Sequence, residues 1–174
     1  MLNTSEPLAA GLVTLRKIVS EDEPLLLKIY ASTREDELKL VPWTAEQILA
    51  FVTMQWQAQT THYATYYPTA DYNVILYQNE PAGRIIVERR DNRILLIDIA
   101  VLREFRNRGI GTYLLQQLLD ESDAARKRID LQVQKFSPAL RLYERLGFSV
   151  SEDLGLDFEM VRLPVGQRPI SGND

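Results

Sequence analysis

The residues with the clearest chemical pattern lie in EFRNRGIGTYLLQQLLDE, residues 104–121, where two glycines precede a leucine-rich run. Gly109 and Gly111 stand where a helix is about to begin, although glycine inside a helix costs about 1 kcal/mol relative to alanine. The first N–H groups of a helix have no partner within it and can bind an anion such as a phosphate. A side chain at either glycine would occupy the space that the anion needs. Arg106 and Arg108 add positive charge beside this point.

The same residues also fit a simpler interpretation, a tight turn that tolerates glycine and carries solvated arginines. The spacing Arg106-x-x-Gly109-x-Gly111 is not that of a Walker A loop, because no Gly-Lys-Ser/Thr follows it. The dinucleotide-binding fingerprint would need a third spaced glycine and a downstream acidic residue. Taken alone, the stretch leaves the phosphate site and the plain turn equally open.

The hydrophobic pattern places this stretch between a buried strand and a helix. The run NRILLIDIAVL, residues 92–102, is almost wholly apolar and predicts a central strand. The order of predicted elements along the chain is β-α-α-β-β-β-α-β-α-β-β, which indicates an α/β (α+β) fold with a mixed sheet and helices on its faces. The buried stripe of the helix that follows the glycines is predicted to consist of Ile110, Leu114, Leu115, Leu118 and Leu119.

Several helix boundaries are marked by capping residues. Ser20 is the predicted N-cap of the first helix, and the second helix is predicted to begin at Thr44. In SPALRLYERLGF, residues 137–148, Ser137 is the predicted cap of a short helix that Gly147 closes.

The composition excludes several classes of protein. The chain has 174 residues, of which 45% are hydrophobic and 25% charged, as in ordinary globular proteins. A net charge of −4 argues against nucleic-acid binding. The absence of cysteine excludes a thiol nucleophile, and a single histidine, His62, argues against a metal site.

The domain organisation and location follow from the same overview. We expect a single domain over residues 1–174, with residues 1–10 and 165–174 as loose tails. The sequence has neither a signal peptide nor an apolar run of roughly 20 residues, so we expect a cytoplasmic protein that does not bind a membrane. A homodimer is left open.

Two motifs resemble those of the GNAT superfamily of acyl-CoA-dependent N-acyltransferases. The first family signature is arginine or glutamine, two residues, glycine, one residue, then glycine or alanine, and IDIAVLREFRNRGIG, residues 97–111, reproduces it after a strand. The second signature ends in Leu-Tyr, three residues and Gly-Phe, as does the segment at residues 137–148. The resemblance is sharp over residues 85–148 and implies the GNAT fold, a mostly antiparallel sheet whose splayed central strands hold CoA.

The resemblance also implies a reaction and the residues that perform it. It implies an N-acetyltransferase that moves the acetyl group of acetyl-CoA, its cosubstrate, to a primary amine of a small molecule or peptide by direct attack. A backbone N–H near Ile99 would stabilise the oxyanion, and Tyr143 would act as general acid toward the CoA thiolate. A non-catalytic acyl-CoA-binding regulatory module is the alternative. The residues implied to contact the cosubstrate are Ile99, Ala100 and Val101 for pantetheine and Arg106, Asn107, Arg108, Gly109, Ile110, Gly111 and Thr112 for the pyrophosphate.

The sequence departs from the family pattern at two places. Family members often have asparagine where this chain has Ser137, and its amide contacts pantetheine. Serine caps a helix equally well but reaches less far, so a contact of Ser137 with CoA is an open expectation. Arg103 stands where proline is common, which we expect to matter only to the turn.

The general base is the least defined part of the predicted site. Asp98 lies within an apolar strand, but side chains alternate faces, and it would point opposite to Ile97 and Ile99. A structural role is therefore the favoured prediction for Asp98. Glu88 on the preceding strand and a chain of water molecules are the alternatives.

Two other polar features are interpreted as surface. His62 lies near the end of the second predicted helix, where a lone histidine is usually solvated. The acidic cluster at residues 35–37 lies between the first two helices and could attract a cationic amine, although charge runs are usually solvated surface.

Overall fold

The computed structural model describes residues 11–167, and its elements follow the predicted order. The mixed α/β class, with a mostly antiparallel sheet flanked by helices, is confirmed. Short 3-10 turns precede the first and third helices, at Ser20–Asp22 and Arg103–Phe105. The strands are β1 Val13–Lys17, β2 Asp71–Tyr77, β3 Glu80–Arg89, β4 Arg93–Val101, β5 Arg128–Gln134, β6 Ser149–Asp153 and β7 Asp157–Arg162, and the helices are α1 Glu23–Leu38, α2 Ala45–Tyr66, α3 Ile110–Ala125 and α4 Ala139–Arg145.

The strands are hydrogen-bonded in the order β1-β2-β3-β4-β5-β7-β6. The pairs β1–β2, β5–β7 and β6–β7 are antiparallel, whereas β4 and β5 are parallel. The parallel ladder runs from Arg93↔Arg128 to Leu96↔Leu131. Within the described residues this ladder ends at Leu96, while β4 continues to Val101. The second half of β4 therefore has backbone groups that its ladder with β5 does not use.

The chain divides into two compact units, which we describe separately. The first consists of Met1–Ile86 and Asp98–Ile110, and the second of Val87–Ile97 and Gly111–Asp174. The single domain expected over residues 1–174 stays a prediction. No helix in residues 11–167 is long and apolar enough to cross a membrane.

The core of the first unit has two apolar clusters. Tyr30 of α1 packs against Val52 and Trp56 of α2. Ile29 of α1 packs against Ala100 and Leu102, at and just beyond the end of β4. Helix α1 thus packs through one cluster on α2 and through the other on the strand end that the resemblance assigns to pantetheine.

The core of the second unit contains the apolar side of α3 and the central strands. The predicted stripe of α3 is confirmed, because each of its five residues is at most 5% exposed. Ile129 and Leu131 of β5 and Met160 of β7 are also buried.

The first helix begins differently from the prediction. Ser20 opens a 3-10 turn instead of capping α1, which starts at Glu23 with a proline in its first turn. The cap of this region is Asp22, whose carboxylate accepts a hydrogen bond from the Val19 N–H at 2.9 Å and two from Arg16 at 2.7 Å. The sequence pattern missed this arrangement because Arg16 lies in the preceding strand.

Replacing Asp22 with asparagine is expected to lower the free energy of unfolding at neutral pH. The hydrogen bonds from Arg16 lower the pKa of Asp22 from 3.8 to about 2. Because the folded-state pKa is depressed, the stabilisation is present above pH 3.8 and is lost as the pH falls toward 2. We expect a loss of about 1–2 kcal/mol at neutral pH, since charge-assisted bonds contribute about 1.5–3 kcal/mol and a partly exposed partner weakens them.

Urea unfolding of the wild-type protein and Asp22→Asn across the acid range measures this effect. The two stabilities should converge near the folded-state pKa of Asp22. Glu80→Gln is the control, because Glu80 is exposed and has no ion pair within residues 11–167. A constant difference between Asp22→Asn and the wild type at all pH values would contradict the assignment.

The predicted C-terminal tail is only partly described. Val165 follows the buried Pro164, and its N–H donates to the Asp123 carboxylate at 2.9 Å. Asp123 also accepts hydrogen bonds from Arg162 at 2.5 and 2.9 Å. Residues 165–167 are therefore held against α3 instead of being loose, and the predicted tails at 1–10 and 168–174 lie outside the described residues.

Candidate active site

The loop between β4 and α3 uses two residues in the left-handed backbone region. Asn107 has a φ of 59° and Gly109 a φ of 77°. Asparagine adopts this region more readily than most residues, and glycine adopts it without steric cost. The backbone of the loop therefore explains the glycine at position 109.

Gly111 differs from Gly109 because the fold gives no reason for it. It lies in the first turn of α3, and a Cβ at this position would have no heavy atom within 4 Å among the described residues. Its φ is not in the left-handed region. An alanine would therefore fit there and would favour the helix by about 1 kcal/mol. No described residue accounts for a glycine at this position.

The N–H groups of this loop are mostly available for such a group. Within the described residues, no carbonyl outside α3 accepts a hydrogen bond from the N–H groups of residues 107–112. The N–H groups in the first turn of α3 also lie at the positive end of the helix dipole. Among the residues predicted to contact the pyrophosphate, Arg106 is the exception, because its N–H donates to the Arg103 carbonyl at 3.2 Å.

The side chain of Arg106 is also engaged within the protein. Its Nε donates to the Val101 carbonyl at 2.9 Å, and its Nη2 donates to the carbonyl and hydroxyl oxygens of Ser32 at 2.9 and 3.0 Å. Arg106 thus joins the end of β4 to α1. Both groups through which Arg106 was expected to help hold a phosphate have partners inside the first unit.

Arg108 is the arginine of this loop that remains at the surface. Its guanidinium carbon lies 5.6 Å from the ring centre of Tyr77 and 5.5 Å from that of Phe105. One nitrogen donates to the Glu104 carbonyl at 3.0 Å. These contacts hold an exposed positive charge beside the loop, and the role of Arg108 near a phosphate stays a prediction.

At the end of β4, successive residues point their backbone groups alternately toward β3 and away from it. The Leu102 N–H donates to the Ala82 carbonyl at 2.8 Å, and the Ala100 carbonyl lies against Gly83, where a Cβ would approach it to 2.1 Å. Since backbone groups alternate along a strand, those of Ile99 and Val101 face away from β3. The Val101 carbonyl accepts a hydrogen bond from Arg106, and the contacts of residues 99–101 with pantetheine stay predictions.

Tyr143 lies in the second unit and has a clear packing role. Its side chain is 6% exposed, and its ring meets that of Phe148 edge-on at 5.7 Å. Its carbonyl accepts the Phe148 N–H, and the Gly147 N–H donates to Glu144, both at 3.0 Å. Gly147 has a φ of 89°, so these two hydrogen bonds form a Schellman C-cap. The contact between the Tyr143 and Phe148 rings is the apolar contact that usually accompanies such a cap. The role of the Tyr143 hydroxyl as an acid stays a prediction.

Ser137 has the structural role that the sequence predicts. Its hydroxyl oxygen accepts a hydrogen bond from the Ala139 N–H at 3.2 Å, at the start of α4. This contact accounts for serine as a cap. The contact of Ser137 with CoA stays a prediction.

The candidate acids on the central strands both have arginine partners. Glu88 is 3% exposed and accepts a hydrogen bond from Arg90 at 2.5 Å, so its carboxylate is already paired within the protein. Asp98 accepts a hydrogen bond from Arg84 at 2.6 Å, as its predicted structural role requires. His62 is exposed on α2 and lies beside other aromatic rings of that helix.

The acidic cluster at the end of α1 is neutralised by neighbouring cations. Arg103 pairs with Glu35 at 2.9 Å and with Asp36 at 2.7 Å, while Glu37 pairs with Arg34 at 3.2 Å. Hydrogen bonding by Lys39 and the charge of Arg103 lower the pKa of Asp36. These pairs favour the surface interpretation over capture of an amine. They also give Arg103 a role beyond the turn.

The sequence analysis missed the network around Arg84. Arg84 lies in β3, its Nη2 donates to Gln59 of α2 at 2.5 Å, and its Nε donates to Asp98. Tyr63, one helical turn after Gln59, has its pKa raised by burial and by the charge of Asp98. The sequence does contain a signal for this network, because Arg84 and Asp98 are opposite charges on two apolar strands that are adjacent in one hairpin.

The family model for the acetyltransferase (GNAT) family matches residues 27–148, more than half of the chain. The chain belongs to this family and is an acyltransferase. The match includes β4, the glycine loop, α3 and the Leu-Tyr segment of α4. No curated protein matches this chain.

Solved structures share the fold at low sequence identity. PaiA N-acetyltransferase from Thermoplasma acidophilum, in complex with coenzyme A, is 18% identical, with a TM-score of 0.65 over 87% of this chain and 98% of that chain. An acetyltransferase from Thermus thermophilus is 20% identical, with a TM-score of 0.61 over 87% and 96%. Arabidopsis thaliana Naa50, in complex with a bisubstrate analogue CoA-Ac-MVNAL, is 19% identical, with a TM-score of 0.57 over 87% and 98%.

Proposed function

We propose that this acetyltransferase transfers the acetyl group of acetyl-CoA to a primary amine of a small molecule or peptide by direct attack. The observation that carries the proposal is Gly111, a glycine in the first turn of α3 that neither backbone conformation nor packing requires. A pyrophosphate against this turn explains it. Two structures with the same fold were determined with CoA or a CoA conjugate bound.

The binding roles fall on backbone groups and one side chain. The N–H groups of residues 107–112 hold the pyrophosphate, with the exposed guanidinium of Arg108 beside them. The backbone of residues 99–101 pairs with pantetheine on the side of β4 that faces away from β3. We exclude the N–H and side chain of Arg106 from the phosphate contacts, because both are engaged elsewhere. Arg106 instead stabilises the strand end against α1.

The chemical roles need few side chains. The Ile99 N–H donates to the thioester oxygen as negative charge develops on it during attack of the neutral amine, usually the largest catalytic contribution in such reactions. The amine nitrogen forms the new amide bond, the carbon–sulfur bond breaks, and the thiolate receives a proton from the Tyr143 hydroxyl. Glu88 was the weakest of the predicted site residues, and its ion pair with Arg90 favours water as the acceptor of the amine proton.

A second candidate is a regulatory module that binds acyl-CoA without transferring the acyl group. The ion pairs of Glu88 and Asp98 favour it, because they occupy both candidate bases. The cytoplasmic location and the homodimer stay predictions.

Release of free CoA from acetyl-CoA in the presence of a panel of amines separates the two candidates. The panel comprises polyamines, amino acids, aminoglycosides and short peptides with free N-termini. We expect at least one amine to raise CoA release by about ten-fold or more above slow hydrolysis, since a bound nucleophile reacts far faster than water. A protein that binds acetyl-CoA but shows no acceleration by any amine supports the regulatory module.

A further inference from the structure

Arg84 is a buried arginine of β3 whose guanidinium is held from two sides. It is 4% exposed, and it donates from Nε to Asp98 on β4 and from Nη2 to Gln59 on α2. A buried ion pair is often no more stabilising than apolar residues of the same volume. Its presence between two strands is therefore better explained by the geometry that it fixes than by stability alone.

Three consecutive residues of β3 contact every second residue from Asp98 to Leu102, at and just beyond the end of β4. As a result, the two residues that flank Ile99 in the chain are both held from β3. The Ile99 N–H belongs to the rigid peptide group that joins Asp98 to Ile99, so its direction depends on how Asp98 is held. The three contacts are Ala82 with Leu102 through a 2.8 Å hydrogen bond, Gly83 with the Ala100 carbonyl in van der Waals contact, and Arg84 with Asp98 at 2.6 Å.

The peptide group between Asp98 and Ile99 carries the N–H that the proposed function assigns to the thioester oxygen. We propose that Arg84 is a positioning residue for acetyl transfer, which fixes the direction of this N–H by anchoring the Asp98 side chain. This inference rests on the proposed function. A hydrogen bond to a developing oxyanion weakens steeply when its donor turns away, so the anchor acts on the reaction and not only on the fold.

Gln59 completes the anchor. A guanidinium is planar, and its donors point in fixed directions, so binding Asp98 and Gln59 together fixes the plane of the Arg84 side chain. A lysine would keep the charge and the attraction to Asp98 but would lack the second, fixed donor. Arg84→Lys thus separates the positioning role from simple charge pairing.

Isotope-edited infrared spectroscopy of bound acetyl-CoA, labelled with 13C at the thioester carbonyl, reads the polarisation of that carbonyl directly. In the wild-type protein we expect its stretching frequency to fall on binding. In Arg84→Lys and Arg84→Met we expect most of this shift to be lost while acetyl-CoA still binds. Acetyl-CoA hydrolysis should slow by about ten-fold to a hundred-fold, less than the 10²–10³-fold loss typical of deleting an oxyanion donor.

Arg162→Met is the matched control. Arg162 also has a low exposure, 11%, and pairs with the carboxylate of Asp123, but it lies on β7 of the second unit. We expect this variant to lose stability and to keep the carbonyl shift. If Arg84→Met fails to fold, Gln59→Leu replaces it, because it removes one partner of Arg84 and leaves the pair with Asp98.

The outcomes distinguish this inference from the proposed function. An equal carbonyl shift in the wild type, Arg84→Lys and Gln59→Leu overturns the positioning role and leaves the proposed function standing. A wild-type protein that binds acetyl-CoA with no carbonyl shift overturns it as well. Failure of the wild type to bind acetyl-CoA at all rejects the proposed function itself.

Discussion

Acetyl-CoA is expected to raise the melting temperature of the wild-type protein and to leave that of Gly111→Val unchanged. A ligand that binds only the native state stabilises it by about 2.7 kcal/mol at a hundred times its dissociation constant. The Cβ of valine at position 111 would project into space that no described residue occupies. Its methyl groups would stand where phosphate oxygens approach the first N–H groups of α3, so we expect binding to be lost.

Position 111 gives a cleaner test than position 109. Gly109 has a φ of 77°, so valine there would strain the loop even in the absence of ligand. Gly111→Val is expected to keep the unliganded melting temperature of the wild type or to exceed it, because valine has a better helix propensity than glycine. Gln116→Val, on the exposed face of α3, controls for valine in this helix and should respond to acetyl-CoA as the wild type does. A full ligand response in Gly111→Val would place the cosubstrate elsewhere.

The element order and the glycine loop could be predicted because their signals are local. Apolar periodicity distinguishes the α3 stripe from the continuous apolar run of β4. The Gly147 and Phe148 pair that ends α4 is also a local signal, since a Schellman cap involves residues near each other in the chain. Such features need no knowledge of which strands are neighbours.

The partners of charged side chains could not be predicted in the same way. Arg106 contacts Ser32, and Arg103 contacts Asp36, across long separations in sequence. The sequence shows that Arg106 and Arg103 are charged but not which helix covers the strand end. The acidic cluster near Asp36 therefore resembled an attraction site for amines until its cations were located.

Gly109 and Gly111 illustrate a further limit of prediction from the sequence. The sequence assigns Gly109 and Gly111 the same reason, space for an anion. In the structure Gly109 is needed for the left-handed backbone of the loop, and only Gly111 lacks an internal explanation. Backbone angles and neighbouring atoms separate the two cases, and neither can be read from residue type.

Tyr143→Phe is expected to lower turnover by about ten-fold to a thousand-fold, within the range of general acid–base catalysis. Phenylalanine keeps the buried ring and its edge-on contact with Phe148, and it leaves the backbone hydrogen bonds of the helix end unchanged. We therefore expect near-normal stability and acetyl-CoA affinity within a few-fold of the wild type. The substitution removes the hydroxyl group that the proposed function assigns as proton donor to the departing thiolate.

The competing interpretation is that Tyr143 only fills space in the core. Its ring is 6% exposed and lies at a Schellman cap, where its volume alone could account for it. Turnover of the best amine from the panel, or slow hydrolysis of acetyl-CoA, measures the difference. Tyr72→Phe is the control, since it removes a tyrosine hydroxyl that donates to the Tyr67 carbonyl at 3.1 Å. If Tyr143→Phe turns over as fast as this control and the wild type, Tyr143 is a packing residue and water or another group protonates the thiolate. If only Tyr143→Phe is slow at unchanged stability, the result supports the hydroxyl as the acid.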